Sequence, residues 1–232
     1  MRKICAFGDS VMRGIVEDCS RKADTIRYMI SSFSFAEICK TRLGLEVCNF
    51  ARFGGTINQG IGLVEKHSDQ VSDSNCCLIE YGGNDCSFKW NEVSQMPESV
   101  HKPLTLLDDF RQQYSKLIET LKGKGAKPVL LSLPLIDSRR YFNHISNGLD
   151  ADNILDWLGG DVDYIDHWHE MYNMAVWGLG ASHGVPVIDI TSPFLSRKDY
   201  RDYLCSDGIH PNEAGHRLIA DAICDYALNY II

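Results

Sequence analysis

Apolar residues follow two alternating rhythms along this chain. Residues 4–7, 46–50, 76–81, 128–133 and 185–190 form short runs, mostly apolar at odd and even positions alike and most ending in Gly, Pro or polar residues. A strand covered on one face alternates apolar with polar, whereas one covered on both faces does not. These runs therefore predict parallel strands held between helical layers. Residues 33–43, 104–122 and a region within 153–183 carry helix-like patterns instead. Near the end, Leu218, Ile219, Ala222, Ile223, Tyr226, Ala227 and Tyr230 recur at spacings of one, three and four, the stripe of a helix with one buried face. Five strands interleaved with helices predict an α/β fold, a three-layer α/β/α sandwich on a parallel sheet.

At roughly 150 residues per domain, 232 residues predict one large domain over 1–232. No internal repeat, low-complexity tract or Pro/Ser-rich linker interrupts it. Two stretches, 86–103 and about 136–160, are longer than such a fold needs, and both follow strand ends. Helical insertions at that edge of an open sheet usually wall a ligand crevice. The charge balance, 23 basic against 31 acidic residues, gives −8 and argues against a protein that coats nucleic-acid phosphates. No run approaches the ~20 apolar residues of a membrane helix, and the apolar stretch before Gly8 is too short for a secretory signal. Nine cysteines at irregular spacing, with no C-x-x-C pair, predict a reduced cytoplasmic protein in which several act as small hydrophobes.

Three loops at strand ends or a helix start carry chemistry. The first strand runs into Gly8-Asp9-Ser10, the third into Gly82-Gly83-Asn84-Asp85, and Asp207-Gly208-Ile209-His210-Pro211 precedes the last helix, with Pro211 suited to its first turn. Ligands of open α/β sheets bind at the carboxyl edge, where these loops converge. Serine is a weak nucleophile until a base takes its proton, so Ser10 needs an imidazole, and His210 is the candidate. Asp207, three residues upstream, can hold the other ring nitrogen and stabilise the imidazolium. The Ser10 N–H, a glycine N–H and the Asn84 amide would then receive the oxyanion of an acyl-transfer intermediate.

These blocks resemble the SGNH hydrolases, the GDSL family of esterases and lipases. The family's second block finds its match in Asn49-Phe50-Ala51-Arg52-Phe53-Gly54-Gly55-Thr56, and the four blocks run in family order from residue 8 to 211. Val11 stands where the family name has leucine, which changes packing rather than chemistry. The resemblance implies a flavodoxin-like sheet of about five parallel strands. It implies Ser10 as nucleophile, His210 as base with Asp207 behind it, and Gly54 and Asn84 as oxyanion donors, block spacing favouring Gly54 over Gly55. It also implies a cofactor-independent hydrolase of small esters, of which an O-acetylated carbohydrate is the first expectation. Lipids, thioesters and acyl transfer fall within the same family. Asp9, Gly55, Asp85, Trp90 and Tyr141 are the candidate substrate contacts.

Other signals are weaker. Asp163, Asp166, His167, His169 and Glu170 crowd one helix-like stretch, but His167 and His169 fall on different faces, unlike the i, i+4 histidine pair of a zinc protease, and no metal is expected. Gly60-Ile61-Gly62 lacks the third glycine of a dinucleotide fingerprint. Trp90, Tyr141, Trp157, Tyr164, Trp168 and Trp177 lie in or near the insertions, and core packing is the expectation for Trp168 and Trp177. His67, His101, His144, His183 and His216 form no constellation and read as surface or packing residues. A binding module without catalysis and a metal-dependent phosphoesterase built on 163–170 are the readings from other classes.

Overall fold

A computed structural model of the chain describes residues 2–20 and 26–230; the Tyr230 side chain, last of the predicted stripe, lies outside the described residues. The first strand, β1 (Lys3–Gly8), enters the short helix α1 (Ser10–Arg13). A two-stranded antiparallel ribbon follows, β2 (Ile15–Glu17) with β3 (Tyr28–Ile30). Next come α2 (Phe35–Leu43), β4 (Glu46–Asn49), α3 (Ile57–Lys66), α4 (Ser68–Ser72) and β5 (Cys76–Glu80). The first insertion holds α5 (Trp90–Gln95) and leads to α6 (Leu107–Gly123) and β6 (Pro128–Leu131). The second holds α7 (Ser138–Ile145) and α8 (Ala151–Trp157), then α9 (Tyr164–His183) returns to β7 (Val187–Ile188). The chain closes with α10 (Ser192–Leu195), a 3₁₀ turn at Tyr200–Tyr203 and α11 (Glu213–Tyr230).

The five main strands form one parallel sheet in the order β4-β1-β5-β6-β7, with Cys5 level with both Cys48 and Cys77. Alternate side chains leave on opposite faces, and both faces are covered, which explains the unbroken apolar runs. Cys5, Phe7, Cys77, Ile79 and Leu130 pack against α3, α6 and α9 through Ile57, Phe110, Tyr114, Leu117, Tyr172 and Val176. Ala6, Val129 and Leu131 face the other way, onto Met12, Phe35, Cys39, Ile219 and Ile223 of α1, α2 and α11. A third, smaller core of Val93, Ile136, Ile154, Leu158 and Ile165 joins the two insertions to each other. Its position is what gives the sheet's carboxyl edge a wall.

Several boundaries differ from the sequence pattern, each for a local reason. The last strand shrinks to Val187–Ile188 because Pro186 has no N–H to donate and the Asp189 carboxylate turns the chain by accepting from Thr191 and Ser192 N–H. The helical region within 153–183 is two helices, broken at Gly159-Gly160. Helix α6 begins at Leu107, not 104, because Leu104 and Thr105 spend their N–H groups on Ser87 and Asp85. Pro211 sits outside α11, bridged to Leu204, and Asn212 Oδ1 caps the helix by accepting from Ala214 and Gly215 N–H. No helix among the described residues is long and apolar enough to cross a membrane.

Candidate active site

Ser10 opens α1 at the carboxyl end of β1, where the chain turns through Gly8 with no room to spare. A Cβ on Gly8 would lie 2.5 Å from the Glu80 carbonyl oxygen and 2.6 Å from Met12 Cβ. Asp9 fixes the turn by accepting the Val11 N–H on Oδ1 at 2.8 Å. Ser10 Oγ then lies 2.8 Å from His210 Nε2, and His210 Nδ1 lies 2.7 Å from Asp207 Oδ2. All three residues are buried. The other Asp207 oxygen accepts the Ile209 and His210 N–H groups at 2.9 and 3.0 Å, so the turn that presents the imidazole is folded around its own carboxylate. Burial alone would push Asp207 up. The bond to His210 and these backbone donors overcome it and hold the carboxyl at about 2. A hydroxyl, an imidazole and a carboxylate linked in this way can move a proton off Ser10 without leaving a bare charge.

Asn84 Nδ2 donates to Asp9 Oδ2 at 3.0 Å, which aims the amide and leaves its second hydrogen free. Of the paired glycines, Gly55 spends its N–H on Arg52 O at 3.0 Å, while the Gly54 N–H has no such partner among the described residues. Asn49 holds this loop down, donating to Met12 O and accepting from Ala51 N–H.

From Ser10, Asn84 and His210 a cavity of about 310 Å³ extends under the insertions. Phe88, Trp90, Tyr141, Trp157 and Trp168 line it. The rings brace one another edge to face, Phe88 on Trp157 at 4.8 Å and Trp90 on Trp157 at 6.1 Å. Tyr141 OH pairs with Ser87 Oγ at 3.0 Å and receives Trp90 Nε1 at 3.3 Å. The wall is bolted to the Asp207 turn: Asp137 N–H donates to Gly208 O at 2.7 Å. Gly208 has φ +79, and a Cβ there would come 2.6 Å from Asp137 O and 2.7 Å from Arg140 Cβ.

The sequence matches the GDSL-like Lipase/Acylhydrolase family over residues 6–218. The chain belongs to that family. It is a hydrolase of ester bonds, and its five-stranded parallel sheet is the fold of solved family structures. A lipase/acylhydrolase from Enterococcus faecalis superposes with a TM-score of 0.68 at 19% identity, covering 99% of this chain and 96% of that one. A catalytic mutant of an acetylxylan esterase from Geobacillus stearothermophilus gives 0.63 at 17% identity over 97% and 93%. A GDSL-like lipase from Bacteroides thetaiotaomicron gives 0.64 at 13% identity over 99% and 89%. No curated protein sequence matches the chain.

In this GDSL-family hydrolase, Asp9, Ser10, Asn84, Trp90, Tyr141 and His210 all face the cavity, whereas Gly55 and Asp85 do not. Asp85 is fully buried and accepts the Ile57 N–H on both oxygens, at 3.1 and 3.2 Å, securing the start of α3. Burial pushes it up to about 7, against the pull of Thr105 and Ile57. Gly55 is a packing glycine, since a Cβ would meet Gly8 O and Arg52 O at 3.0 Å. Trp168 lines the cavity rather than only packing a core, and Trp177 is exposed. The acidic and histidine stretch disperses along α9: Asp163 accepts from Ser138, Glu170 from Asn173, and His169 turns to the cavity wall. Burial pushes His169 down to about 4, so its ring is neutral at pH 7. His144 also lines the cavity, and His216 is a buried packing residue against Phe35.

Sequence reasoning missed three contributors, and singled out a fourth, His169, only within the 163–170 stretch. Tyr28 OH donates to Asp207 Oδ2 at 2.8 Å, and its ring stands 5.1 Å from that of His210. Phe53 packs against both rings, 5.9 Å from the imidazole and 5.5 Å from Tyr28. His169 supplies a polar atom to an aromatic wall. Glu80 lies buried beneath Gly8, and its one sequence signal is a charge inside an apolar strand.

Proposed function

We propose that this chain is a serine esterase that cleaves a small acyl ester through a covalent acyl-enzyme. The observation that carries the reading is the continuous pair of hydrogen bonds from Ser10 through His210 to Asp207, 2.8 and 2.7 Å long and buried, with Ser10 and His210 lining the cavity. Ser10 Oγ attacks the ester carbonyl while His210 Nε2 takes its proton, and Asp207 steadies the imidazolium. The Ser10 and Gly54 N–H groups and the free hydrogen of the Asn84 amide hold the tetrahedral oxyanion. Collapse expels the alcohol, protonated by His210. Water, deprotonated by the same imidazole, then releases the acid and restores Ser10.

An O-acetylated carbohydrate is the substrate we place first. Flat aromatic faces along the cavity suit a sugar ring, and a fold neighbour is an acetylxylan esterase. The same apolar wall favours a second reading, a lipase or thioesterase that grips a longer acyl chain. The domain spans 1–232 and works without cofactor on a small molecule, away from nucleic acid and membrane. The cytoplasm fits its nine free cysteines.

Hydrolysis of p-nitrophenyl esters from acetate to decanoate, on wild type and Ser10→Ala in parallel, tests both statements. Turnover by the wild type alone supports the nucleophile, and the chain-length preference separates deacetylation from the lipid or thioester role. Equal rates for both proteins overturn the reading.

A further inference from the structure

Glu80 ends β5 directly under the Ser10 turn and is 1% exposed. Its Oε2 lies 3.1 Å from the place a Cβ would take on Gly8, so the carboxyl is pressed against the Gly8-Asp9 backbone. Neither Glu80 oxygen has a well-formed hydrogen bond, and only the nearby Asp9 and Met12 N–H groups favour its anion. Beside it, Asp9 is 2% exposed, with Oδ1 on the Val11 N–H, Oδ2 on the Asn84 amide and room on each oxygen for a further donor. Two carboxylates buried side by side repel, and an ionised carboxyl buried without a donor is among the costliest groups a protein can hold. One proton between them satisfies both, because a protonated acid donates where a carboxylate accepts.

We propose that Glu80 is a positioning residue of this site: held as the neutral acid, it donates a hydrogen bond to Asp9 and keeps Asp9 the anion that aims Asn84 at the oxyanion. The proposal rests on the reading of Asn84 as an oxyanion donor. Burial, and after it the charge of Asp9, push Glu80 well above the usual carboxylate range. Burial also raises Asp9, opposed by the Val11 N–H, by Glu80, by His210 and by Asn84. The other titratable groups around the pair are Tyr81 at the strand end, Asp85 in the next loop and Tyr114 on α6, with Arg52 the nearby cation. Both tyrosine hydroxyls are themselves pushed above their ordinary range by burial and stay neutral. Asp85, pushed up to about 7 by burial, adds to the negative field once ionised. When Glu80 finally releases its proton to hydroxide, two anions face each other and the Asp9 turn gives way. Asn84 and the Val11 cap lose their anchor together.

The test is kcat and KM against pH for wild type, Glu80→Gln and Glu80→Leu. An amide can donate to Asp9 as the acid does but has no proton to lose. Glu80→Gln should therefore stay within about fivefold of wild type at pH 7, the scale of one neutral hydrogen bond, and should lose the alkaline fall in kcat, at constant KM, that is expected of the wild type. Glu80→Leu should lower kcat towards the ~100-fold of a lost oxyanion donor. An alkaline fall unchanged in Glu80→Gln overturns the proposal. Infrared difference spectra at pH 7 decide the matter independently of turnover. A protonated carboxylic acid band present in wild type and removed by Glu80→Gln supports the proposal even in an enzyme with no measurable activity on these esters, and absence of that band refutes it.

Discussion

Replacing Asp207 by asparagine tests the core of the chemistry, because all four hydrogen bonds to its carboxylate are donated to it. Oδ2 receives His210 Nδ1–H and Tyr28 OH, and Oδ1 receives the Ile209 and His210 N–H groups. An asparagine must turn its NH₂ to one of these pairs. Facing the backbone pair, it meets two donors with a third and opens the turn. Facing Oδ2's partners, it forces His210 Nδ1 to accept, which puts the proton on Nε2, and the ring can no longer take the Ser10 proton. The second arrangement should lower kcat by ~10,000-fold, the scale expected for a wrong tautomer, and the first lowers it by displacing the turn that presents the imidazole. Stability falls as well. Holding the carboxyl at about 2 instead of its ordinary 3.8 stabilises the folded chain by roughly 2.5 kcal/mol at neutral pH. Because the folded value is the lower one, that contribution is complete above pH 5 and fades as pH falls through 3.8 towards 2. Urea unfolding of wild type and Asp207→Asn should thus differ by roughly 2.5 kcal/mol at pH 7 and about half that at pH 3. A kcat loss under ~100-fold, or a stability gap that does not narrow in acid, would refute the reasoning.

Two further substitutions separate the remaining parts. Asn84→Ala should cut kcat by ~100- to 1,000-fold with KM little changed, read from steady-state kinetics on a short p-nitrophenyl ester. Tyr28→Phe removes a hydrogen bond to a charged group and should cost ~1.5 kcal/mol of stability at pH 7, measured by thermal unfolding, with a far smaller loss of kcat than Asp207→Asn; an unchanged Tm would mean that the Tyr28 bond is idle.

Much of this was legible along the chain, and the exceptions have a common cause. The strands could be read because burial on both faces leaves an apolar signature that needs no knowledge of partners. Ser10, Asn84 and the Asp207–His210 turn could be read because each ends a strand or leads into a helix. Tyr28 could not. It sits on a three-residue strand with no alternation, and it reaches Asp207 across 179 positions. The Ile57–Lys66 helix did leave a mark, Thr56 and Gln59 at capping-box spacing, overshadowed by the glycines that follow. Asp85 reads like a ligand contact because it stands beside Asn84 in a polar loop, and only the backbone geometry shows it turned inward onto Ile57 N–H. Insertions 86–103 and 136–160 were visible as excess length, yet their shared core depends on contacts between segments dozens of residues apart.

The interlock of Gly208 with Asp137 has a consequence for how such an enzyme can change its tastes. In many α/β enzymes the loops that choose a substrate are exchangeable parts, free to vary while the reacting groups stay put. Here the segment that shapes the crevice and the turn that carries Asp207 and His210 meet backbone to backbone, without space for even a methyl group between them. A new lining grafted over 136–160 will inherit working chemistry only if it reproduces that seam. On the proposed mechanism, selectivity is therefore open to change through side chains such as Trp90, Tyr141 and Trp157, while the backbone path beneath them is shared with the turn that carries Asp207 and His210.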